Sequence, residues 1–596
     1  MLHRRAIGAY LALLFGTLLF AATLLAALAP FLPYGAYASY GFAFLIALAL
    51  IPGLGFVRMY ALGRCLTTGE LLRMDANEIP RLDGHTYLGN AFPWKPAHAE
   101  RLYHLMSRGV EAPEEVQAAL GGNTLIHGLG IAGERPLFIP DQKRTHHALI
   151  LGSPGEGKTR AIELMVRQLI EKGDVVVIVD PKGDARLMNV VRQVCLESGR
   201  ADQFRLVALP WIRASAAYNP LSHFGTPHEV AQRLISLFPP AGGESEAFRG
   251  FQEAATKAVV QGLYLASVPI TIRTVLDGLR ELSPVTLEFI KKRHPEIAAD
   301  DVAQVASKYE AAVAQGSMPR SRELEDLLYY LRKNPDYYDR MTASFLPQLE
   351  RLIAGPKEEI IAPDPRTTPR EILTWPGIDR RKLVVYFYLA NLKEPTAANS
   401  IGKLLLLDLQ SYLAARYSYA KPDERNLVSL FVDEAHHLVS EAFLHVLAEG
   451  RGAHVACVLS TQTTAQFEQA MGSRAAIDEI LTQNWAYIQF QTRNPREAED
   501  FAKLAGERQM RLVGESHRYE PAFFSSGLAN VDDFRATFTQ SIQYRDAYLV
   551  PPWAIAQLPT FHYFARLGGR TLKGRIPLLS DPVSTFSEDL KREAAL

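Results

Sequence analysis

The sequence predicts an α/β protein whose core is interrupted by an all-helical segment and preceded by two apolar helices. Short apolar runs, typical of buried strands, alternate with helical segments over most of the chain. A long central stretch has helical periodicity alone, and the amino-terminal part contains no Asp, Glu, Lys or Arg between Arg5 and Arg58. Because a domain usually takes about 100 to 200 residues, the 596-residue chain should form several packed units.

Composition excludes some classes of protein. Lys plus Arg and Asp plus Glu number 64 each, so net charge gives no argument for a polyanionic partner, and any such site must be local. The three cysteines, Cys65, Cys195 and Cys457, are far apart and form no C-x-x-C pair. This spacing argues against structural zinc and against a disulfide-stapled secreted domain, and it favours a reducing compartment for most of the chain.

The amino terminus predicts a membrane anchor over residues 1–60. Two apolar runs, Ala6–Leu28 and Tyr37–Val57, are separated by Pro30 and Pro33. Each run is near the roughly 20 residues that a helix needs to cross a bilayer. The anchor should therefore be a hairpin of two transmembrane helices.

Basic residues predict the orientation of this hairpin. Arg4 and Arg5 precede the first run, and Arg58 and Arg64 follow the second. The positive-inside rule then places both termini in the cytoplasm. The alternative is a cleaved signal peptide with Ala27–Ala29 as its cleavage site, but the first run is longer than a typical signal segment and a second run follows it.

The remaining chain divides by its periodicity. Eight near-continuous apolar runs suit parallel strands covered on both faces: His147–Leu151, Val175–Val179, Arg205–Leu209, Leu383–Leu389, Leu427–Val432, Val455–Ser460, Ala486–Gln491 and His562–Leu567. Helices are predicted in the central stretch at Thr271–Leu282, Val302–Ala314, Glu323–Arg332 and Tyr338–Ala354. The predicted units are a connecting region 61–140, an α/β core in two parts, 141–268 and 364–576, an all-α insertion 269–363, and a short tail 577–596.

A phosphate-binding loop follows the first predicted strand. Residues 152–159 match G-x-x-x-x-G-K-[ST], and an amphipathic helix, Thr159–Lys172, comes next. Backbone N–H groups of such a loop bind phosphates at a helix N-terminus. Lys158 should reach the β- and γ-phosphates of ATP, and the Thr159 hydroxyl should bind Mg²⁺. The predicted ATP contacts are Gly152, Ser153, Pro154, Gly155, Glu156, Gly157, Lys158 and Thr159.

Two acidic positions could complete the Mg²⁺ site. Asp180 ends one predicted strand, and Asp433 ends another and is followed by Glu434. The adjacent pair is the better choice for hydrolysis, because one carboxylate can serve the metal while the other polarises the attacking water. We therefore assign Asp433 to Mg²⁺ and Glu434 to the base, the alternative being a solvated strand end.

Gln462 follows the next strand, at the edge of the sheet where α/β proteins bind ligands. Its amide could contact the γ-phosphate or the attacking water. Equally, Ser460 or Thr461 could simply cap the following helix.

These residues resemble the TraG/TraD-type coupling proteins of type IV secretion, and most closely the TraD-like members of integrative conjugative elements. The similarity covers most of the chain, and the Asp-Pro-Lys-Gly sequence after the second strand is its discriminating element. The similar segments are the apolar amino terminus, the phosphate loop, Val179-Asp180-Pro181-Lys182-Gly183-Asp184, Tyr218-Asn219-Pro220-Leu221, Phe431-Val432-Asp433-Glu434, Gly450-Arg451-Gly452 and Ser460-Thr461-Gln462.

The resemblance implies a RecA-like P-loop NTPase core with an all-α insertion, assembled as a homo-hexamer in the bacterial inner membrane. It implies ATP and Mg²⁺ as cofactors, and DNA, the relaxase or relaxosome, and the components of the secretion channel as partners. It also implies that Arg451, eighteen residues beyond Asp433, is an arginine finger in a neighbouring subunit's site. From the sequence alone, a basic residue favouring a helix C-terminus is the simpler interpretation.

Other functions remain open or are excluded. The cargo could be protein effectors instead of DNA, or the chain could be a docking platform that binds nucleotide without hydrolysis, although Glu434 argues against the latter. His228-Glu229 lacks the second histidine of H-E-x-x-H, and no LSGGQ-like signature is present. His436 and His437 are expected on a helix surface. No role is predicted for Asp180-Pro181-Lys182 or for residues 507–545, which could be an interface, a pore element or a surface insertion.

Overall fold

The structure, a computed structural model, describes residues 2–28, 43–54, 71–109, 114–238, 244–390, 394–419, 425–521, 534–580 and 585–595. The strands are β1 Arg73–Met74, β2 His85–Pro93, β3 Arg135–Pro140, β4 Ala148–Leu151, β5 Val175–Asp180, β6 Phe204–Ala208, β7 Ala217–Tyr218, β8 Ile372–Leu373, β9 Val384–Tyr388, β10 Val428–Val432, β11 Val455–Thr461, β12 Ala486–Gln489, β13 Glu507–Pro521, β14 Phe534–Tyr548, β15 His562–Leu567, β16 Arg570–Arg575 and β17 Leu578–Leu579.

The helices are α1 Leu2–Leu28, α2 43–54, α3 Pro96–Ser107, α4 Glu114–Leu120, α5 Leu125–Gly128, α6 Asp141–Arg144, α7 Lys158–Glu171, α8 Ala185–Glu197, α9 Pro227–Ile235, α10 Glu244–Leu265, α11 Ile272–Arg280, α12 Leu282–Arg293, α13 Val302–Ala314, α14 Arg322–Leu331, α15 Pro335–Thr342, α16 Leu346–Ile353, α17 Glu358–Ile361, α18 Trp375–Arg380, α19 Pro395–Tyr419, α20 Glu441–Gly450, α21 Thr464–Met471, α22 Arg474–Gln483, α23 Pro495–Ala505, α24 Pro552–Ala556 and α25 Phe586–Ala595.

An eleven-stranded mixed sheet forms the centre of the α/β core. Its order is β3-β2-β16-β15-β12-β4-β11-β10-β5-β9-β6. Neighbours from β12 to β6 are parallel, and every residue of β4, β5, β9 and β10 is buried, as expected for strands covered on both faces. Each of the eight predicted strands overlaps a strand of this sheet, so the α/β fold is confirmed.

The other side of the sheet is antiparallel, which the apolar runs did not reveal. β15 runs antiparallel to β12, and β16, β2 and β3 continue the antiparallel pairing. β2 and β3 come from the segment predicted only as a connecting region. β17, in the segment predicted as a tail, pairs with β1 in a separate, parallel two-stranded sheet. Sequence-distant segments therefore extend the sheet.

The central stretch from Ile272 to Ile361 consists of helices α11 to α17, which are joined by turns and short loops. α10 precedes this stretch but packs against α11, α12 and α14, so it belongs to the same helical layer. The predicted helix Tyr338–Ala354 is in fact two helices, α15 and α16. Pro347 explains the break, because a proline fits the first turn of a new helix and disrupts the interior of a continuing one.

The predicted membrane hairpin is not confirmed. α1 covers the first apolar run and α2 lies inside the second, whereas the turn with Pro30 and Pro33 lies outside the described residues. None of the helices in the described part of the chain combines the length and the apolar character needed to cross a membrane.

Most of residues 507–545, which had no predicted role, form a two-stranded ribbon. β13 and β14 are fifteen residues each and pair antiparallel along their full length. Near the base, the Arg511 backbone N–H donates a hydrogen bond of 3.0 Å to Glu100 Oε1 in α3. Residues 522–533 lie outside the described part of the chain.

Candidate active site

The predicted site residues follow neighbouring parallel strands at one edge of the sheet. β4, β11, β10 and β5 lie side by side in that order. Thr461 pairs with Leu151, and Val432 pairs with Val179, so the four strands end at similar height. The phosphate loop, Gln462, the Asp433-Glu434 pair and the end of β5 therefore share the carboxyl edge, where open α/β sheets bind ligands.

The phosphate loop has a backbone that requires glycine. Gly152 has a φ of +154°, and a Cβ there would lie 2.6 Å from the Cβ of Phe490. Gly157 has a φ of +120°, and a Cβ there would lie 2.8 Å from the Phe561 ring. α7 begins directly afterwards, so its free N–H groups face the loop and suit a bound phosphate.

Lys158 has the surroundings of a phosphate-binding lysine. Its side chain is buried, and Nζ donates to the carbonyl oxygens of Gly152 at 2.7 Å and Ser153 at 3.2 Å. Burial lowers the pKa of the ammonium, whereas Glu434 and Asp433 act in the opposite direction. Among the described residues, its hydrogen-bond partners are neutral carbonyls, which leaves the cation suited to an incoming anion.

Thr159 and Asp433 lie side by side in the manner of two magnesium ligands. Thr159 Oγ1 is 3.5 Å from Asp433 Oδ2. The Ser460 hydroxyl and the Glu434 backbone N–H both donate to Oδ1, the latter at 3.1 Å. Neighbouring oxygen ligands of octahedral Mg²⁺, at about 2.1 Å from the ion, are roughly 3 Å apart. The two side chains therefore fit the ion with only a small shift.

Of the two carboxylate oxygens of Glu434, one accepts a hydrogen bond and the other does not. Its backbone is left-handed, with a φ of +47°, and Gln462 Nε2 donates to Oε1 at 3.0 Å. Oε2 is buried and accepts no hydrogen bond from any described residue. His436 Nδ1 lies 3.5 Å from it, but burial and the neighbouring His437 lower the pKa of His436 to about 4, so the ring is neutral at pH 7. A buried acceptor of this kind suits a water molecule.

The alternative in which Ser460 or Thr461 caps the helix after Gln462 is wrong, because the N-cap of α21 is Thr463. The side chain of Gln462 contacts Glu434. His436 and His437 both lie half-buried in a short 3₁₀ helix that follows Glu434. The Nδ1 atom of His436 is 3.0 Å from Thr461 Oγ1.

Residues 180–184 form a tight turn, in which the carboxylate of Asp180, the other candidate for the Mg²⁺ site, is hydrogen-bonded. Asp180 is fully buried, and its carboxylate accepts hydrogen bonds from the Gly183 N–H and the Tyr386 hydroxyl, both at 2.7 Å. Burial and the nearby Asp433 raise the pKa of Asp180 to about 6. The carboxylate therefore shapes its own turn, whereas the lysine of this segment is exposed.

Arg451 lies far from the other predicted site residues. It is the exposed C-cap residue of α20 and comes just before β11, at the amino edge of the sheet. β11 has seven residues, each rising about 3.3 Å, so Arg451 lies about 20 Å below the carboxyl edge. Its charge acts on His146, whose pKa is lowered by burial first and by Arg451 second.

Glu497 is a buried residue near the site that the sequence interpretation missed. It lies in the first turn of α23, and its Oε1 accepts a hydrogen bond of 2.8 Å from Gln489 Nε2 in β12. Burial raises its pKa to about 7. The sequence signal was weak, because an acid after Asn494-Pro495 is the ordinary pattern of a helix start.

Two family models match separate parts of the chain. Residues 134–283 match the model described as the type IV secretion-system coupling protein DNA-binding domain. Residues 427–560 match the model described as the TraM recognition site of TraD and TraG. The first match contains the phosphate loop, and the second contains Asp433, Glu434 and Gln462.

The type 4 coupling protein DotL of Legionella pneumophila is 24% identical over 416 residues, which are 63% of this chain and 51% of that protein. The chain thus spans about half the length of this relative. A similar solved structure is that of the conjugative coupling protein TrwBdeltaN70, with a TM-score of 0.47 and 16% identity, over 75% of this chain and 89% of that one. Another is TrwB in complex with ADP and Mg²⁺, with a TM-score of 0.47 and 14% identity, over 75% of this chain and 88% of that one. VirB4 of Thermoanaerobacter pseudethanolicus is also similar, with a TM-score of 0.40 and 13% identity, over 75% of this chain and 95% of that one.

Proposed function

We propose that this chain, which belongs to the TraG/TraD family of type IV secretion coupling proteins, is a Mg²⁺-dependent ATPase with a RecA-like core. In this proposal, hydrolysis drives transfer of relaxase-bound DNA into a secretion channel. The working form is a homo-hexamer in the bacterial inner membrane, with both termini in the cytoplasm.

The observation that carries the proposed hydrolysis is that Glu434 Oε2, beside Asp433, is buried but accepts no hydrogen bond from any described residue. A carboxylate held by Gln462 on one side can accept a proton from a water molecule on the other. Lys158 and the loop N–H groups would bind and orient the phosphates. Thr159 and Asp433 would hold Mg²⁺, which neutralises charge on the transferring phosphoryl group.

The same observation disfavours a platform that binds nucleotide without hydrolysis. Phosphate binding alone requires the loop, the lysine and the metal ligands. It gives no reason to fix Glu434 in a left-handed conformation with its carboxylate oriented by an amide. Export of protein effectors would use the identical site, so this alternative differs in the cargo and not in the chemistry.

The proposed partners rest on different kinds of support. The description of the model matched by residues 134–283 supports DNA, and that of the model matched by residues 427–560 supports a relaxosome component. The channel components are proposed from the family. The hexamer is likewise proposed from the family, and the exposure of Arg451 far from its own phosphate loop is compatible with a role in a neighbouring subunit. The membrane location rests on the charge-free sequence between Arg5 and Arg58.

The hydrolytic role is tested by separating binding from turnover. Glu434→Gln should bind ATP within about threefold of the wild-type affinity and lose about 10²- to 10⁴-fold in phosphate release, the range that a general base contributes. Asp433→Ala should lose Mg²⁺-dependent turnover. Glu499→Gln, a change at an exposed residue of α23, is the matched control and should keep its rate. Wild-type turnover in Glu434→Gln would contradict the assignment.

A further inference from the structure

Phe561 lies against the phosphate loop in a strained backbone conformation. Its φ is +65°, in the left-handed region that bulky side chains rarely adopt. The residue comes just before β15 and is half-buried. Strain of this kind persists only where the surrounding structure holds the residue in place, and it is concentrated at functional sites. The contacts of Phe561 therefore indicate what this conformation does.

Two backbone hydrogen bonds hold Phe561 between the sheet and the loop. Its N–H donates to the carbonyl oxygen of Glu156 at 3.0 Å, and its own carbonyl oxygen accepts the N–H of Ile576 at 2.9 Å. Ile576 directly follows β16 and is buried. β15 and β16 pair along their full length, so Phe561 connects the phosphate loop to a rigid part of the sheet.

The ring of Phe561 restricts the same part of the loop. It packs against Gly157, where one ring carbon is 2.8 Å from the position that a Cβ would take. The side chains of Ile576 and Phe490 lie 3.1 Å and 3.2 Å from this position. Three side chains thus surround Gly157, and in such close packing its peptide has little room to rotate.

The hydrogen bond to Glu156 also fixes the direction of a neighbouring donor. A peptide group is planar and trans, so its C=O and N–H point in opposite directions. Because Phe561 holds the C=O of Glu156, the N–H of Gly157 in the same peptide points away from Phe561. Gly157 is the N-cap residue of α7, and N–H groups at this end have no partner within the helix. Such groups bind phosphate.

The beginning of the loop is held separately. The Ser153 N–H donates to the carbonyl oxygen of Gln491 at 2.8 Å, and the Arg493 N–H donates to Ser153 Oγ at 3.3 Å. Both partners lie in the segment that follows β12. The loop is therefore fixed at Ser153 by this segment and at Glu156 by Phe561, and loss of the second contact would free the part next to α7.

We propose that Phe561 is a positioning residue that orients the Glu156–Gly157 peptide, so that the Gly157 N–H meets the phosphates of a bound nucleotide. The strained backbone presents the Phe561 N–H to the loop, and the ring keeps it there. The proposal rests on the proposed nucleotide-binding function. It adds a residue that acts through the loop peptide and sets the affinity for phosphate.

Binding of inorganic pyrophosphate to the full-length protein tests the proposal, because this probe has phosphates but no base. Phe561→Ala should weaken binding of both ATP and pyrophosphate by about tenfold or more, as expected for a hydrogen bond to a charged group. Phe586→Ala is the matched control, since Phe586 is another half-buried phenylalanine packed against the same core, and it should keep both affinities. An equal loss in this control would overturn the proposal. Weaker ATP binding with unchanged pyrophosphate binding would also overturn it, because Phe561 would then contact the base.

A comparison of Phe561→Gly with Phe561→Ala separates the backbone from the side chain. Both changes remove the ring, but glycine adopts a positive φ readily, whereas alanine disfavours it. Phe561→Gly should therefore bind pyrophosphate about threefold or more tightly than Phe561→Ala. A ring that only fills space predicts the reverse order, because glycine leaves more empty volume and flexibility; that order, or equal affinities, would overturn the proposal. If Phe561→Ala does not fold, Phe561→Gly should still bind pyrophosphate more weakly than wild type, and wild-type affinity would overturn the proposal.

Hydrogen exchange provides a test that needs no turnover. By linkage, a ligand that favours the oriented peptide also strengthens the hydrogen bond of the Phe561 N–H. The amide of Phe561 should therefore exchange about tenfold more slowly with saturating pyrophosphate, while the amides of α14 should not change. Unchanged exchange at Phe561 would overturn the proposal. If the wild type binds pyrophosphate but does not hydrolyse ATP, the proposed hydrolysis fails and the role of Phe561 is still decided by these measurements; if it binds neither ligand, both proposals fail.

Discussion

Arg451→Ala gives the sharpest test of the proposed arginine finger between subunits. Arg451 lies at the amino edge of the sheet, about 20 Å from the carboxyl edge that carries its own phosphate loop. This separation excludes a finger acting within one subunit. Two interpretations remain: a finger that enters a neighbouring subunit, or a charge that favours the C-terminus of α20.

The two interpretations predict effects of different kind and size. A finger that meets charge on the γ-phosphate contributes about a thousandfold or more in rate, or about 4 kcal/mol. A charge at a helix end contributes about 1 kcal/mol or less to stability. Arg451→Ala should therefore stay folded, bind ATP with nearly normal affinity and lose most phosphate release. Arg496→Ala, at an exposed arginine paired with Glu468, is the control and should keep its rate.

Mixing of variants turns this rate measurement into a geometric test. Arg451→Ala and Lys158→Ala subunits should each be inactive alone. In a mixed ring, an intact Arg451 can serve the intact phosphate loop of a neighbour, so part of the activity should return. If mixed rings that demonstrably exchange subunits remain as inactive as either parent, the finger assignment is refuted.

Three other outcomes are expected. Deletion of residues 1–60 should move the protein from the membrane fraction to the soluble fraction, and an unchanged distribution would reject the anchor. DNA should stimulate ATPase activity, with stimulation falling steeply as salt rises because phosphate contacts release counterions; indifference to DNA with stimulation by an effector protein would favour protein export. Burial, followed by Lys573, lowers the pKa of His127 to about 4, so the unfolded chain binds more protons between pH 6.5 and 4. The denaturant concentration at the midpoint of unfolding should therefore fall as the pH is lowered over this range. The fall should be smaller in His127→Gln than in wild type, and an equal fall in the two proteins would contradict the role of His127.

The phosphate loop was fully readable from the sequence. Its glycines, its lysine and the helix that follows are contiguous, and the required backbone conformation depends on residues within the loop itself. The strands of the parallel half were readable for a similar reason, because burial on both faces leaves a continuous apolar run. The antiparallel strands β2, β3 and β16 carry polar residues among apolar ones, so no such run marked them.

The choice between two acids depended on distant residues. Asp180 and Asp433 both end apolar strands, and the sequence favoured Asp433 only because Glu434 follows it. In the structure, the Tyr386 hydroxyl, 206 residues away, binds the Asp180 carboxylate, whereas Thr159, 274 residues away, lies beside Asp433. Such pairings follow from strand order in the sheet, which local periodicity does not encode.

The sequence by itself determined the residue types of the candidate nucleotide site and the resemblance to coupling proteins, because both reside in short contiguous motifs. Only the tertiary structure decided which edge of the sheet each residue occupies. It brought Glu497 beside Gln489, at the end of the strand next to the one that carries the phosphate loop, and left Arg451 at the opposite edge from its own phosphate loop. Motifs encode local backbone geometry and chemistry, whereas the distance between motifs is set by packing of segments far apart in the chain.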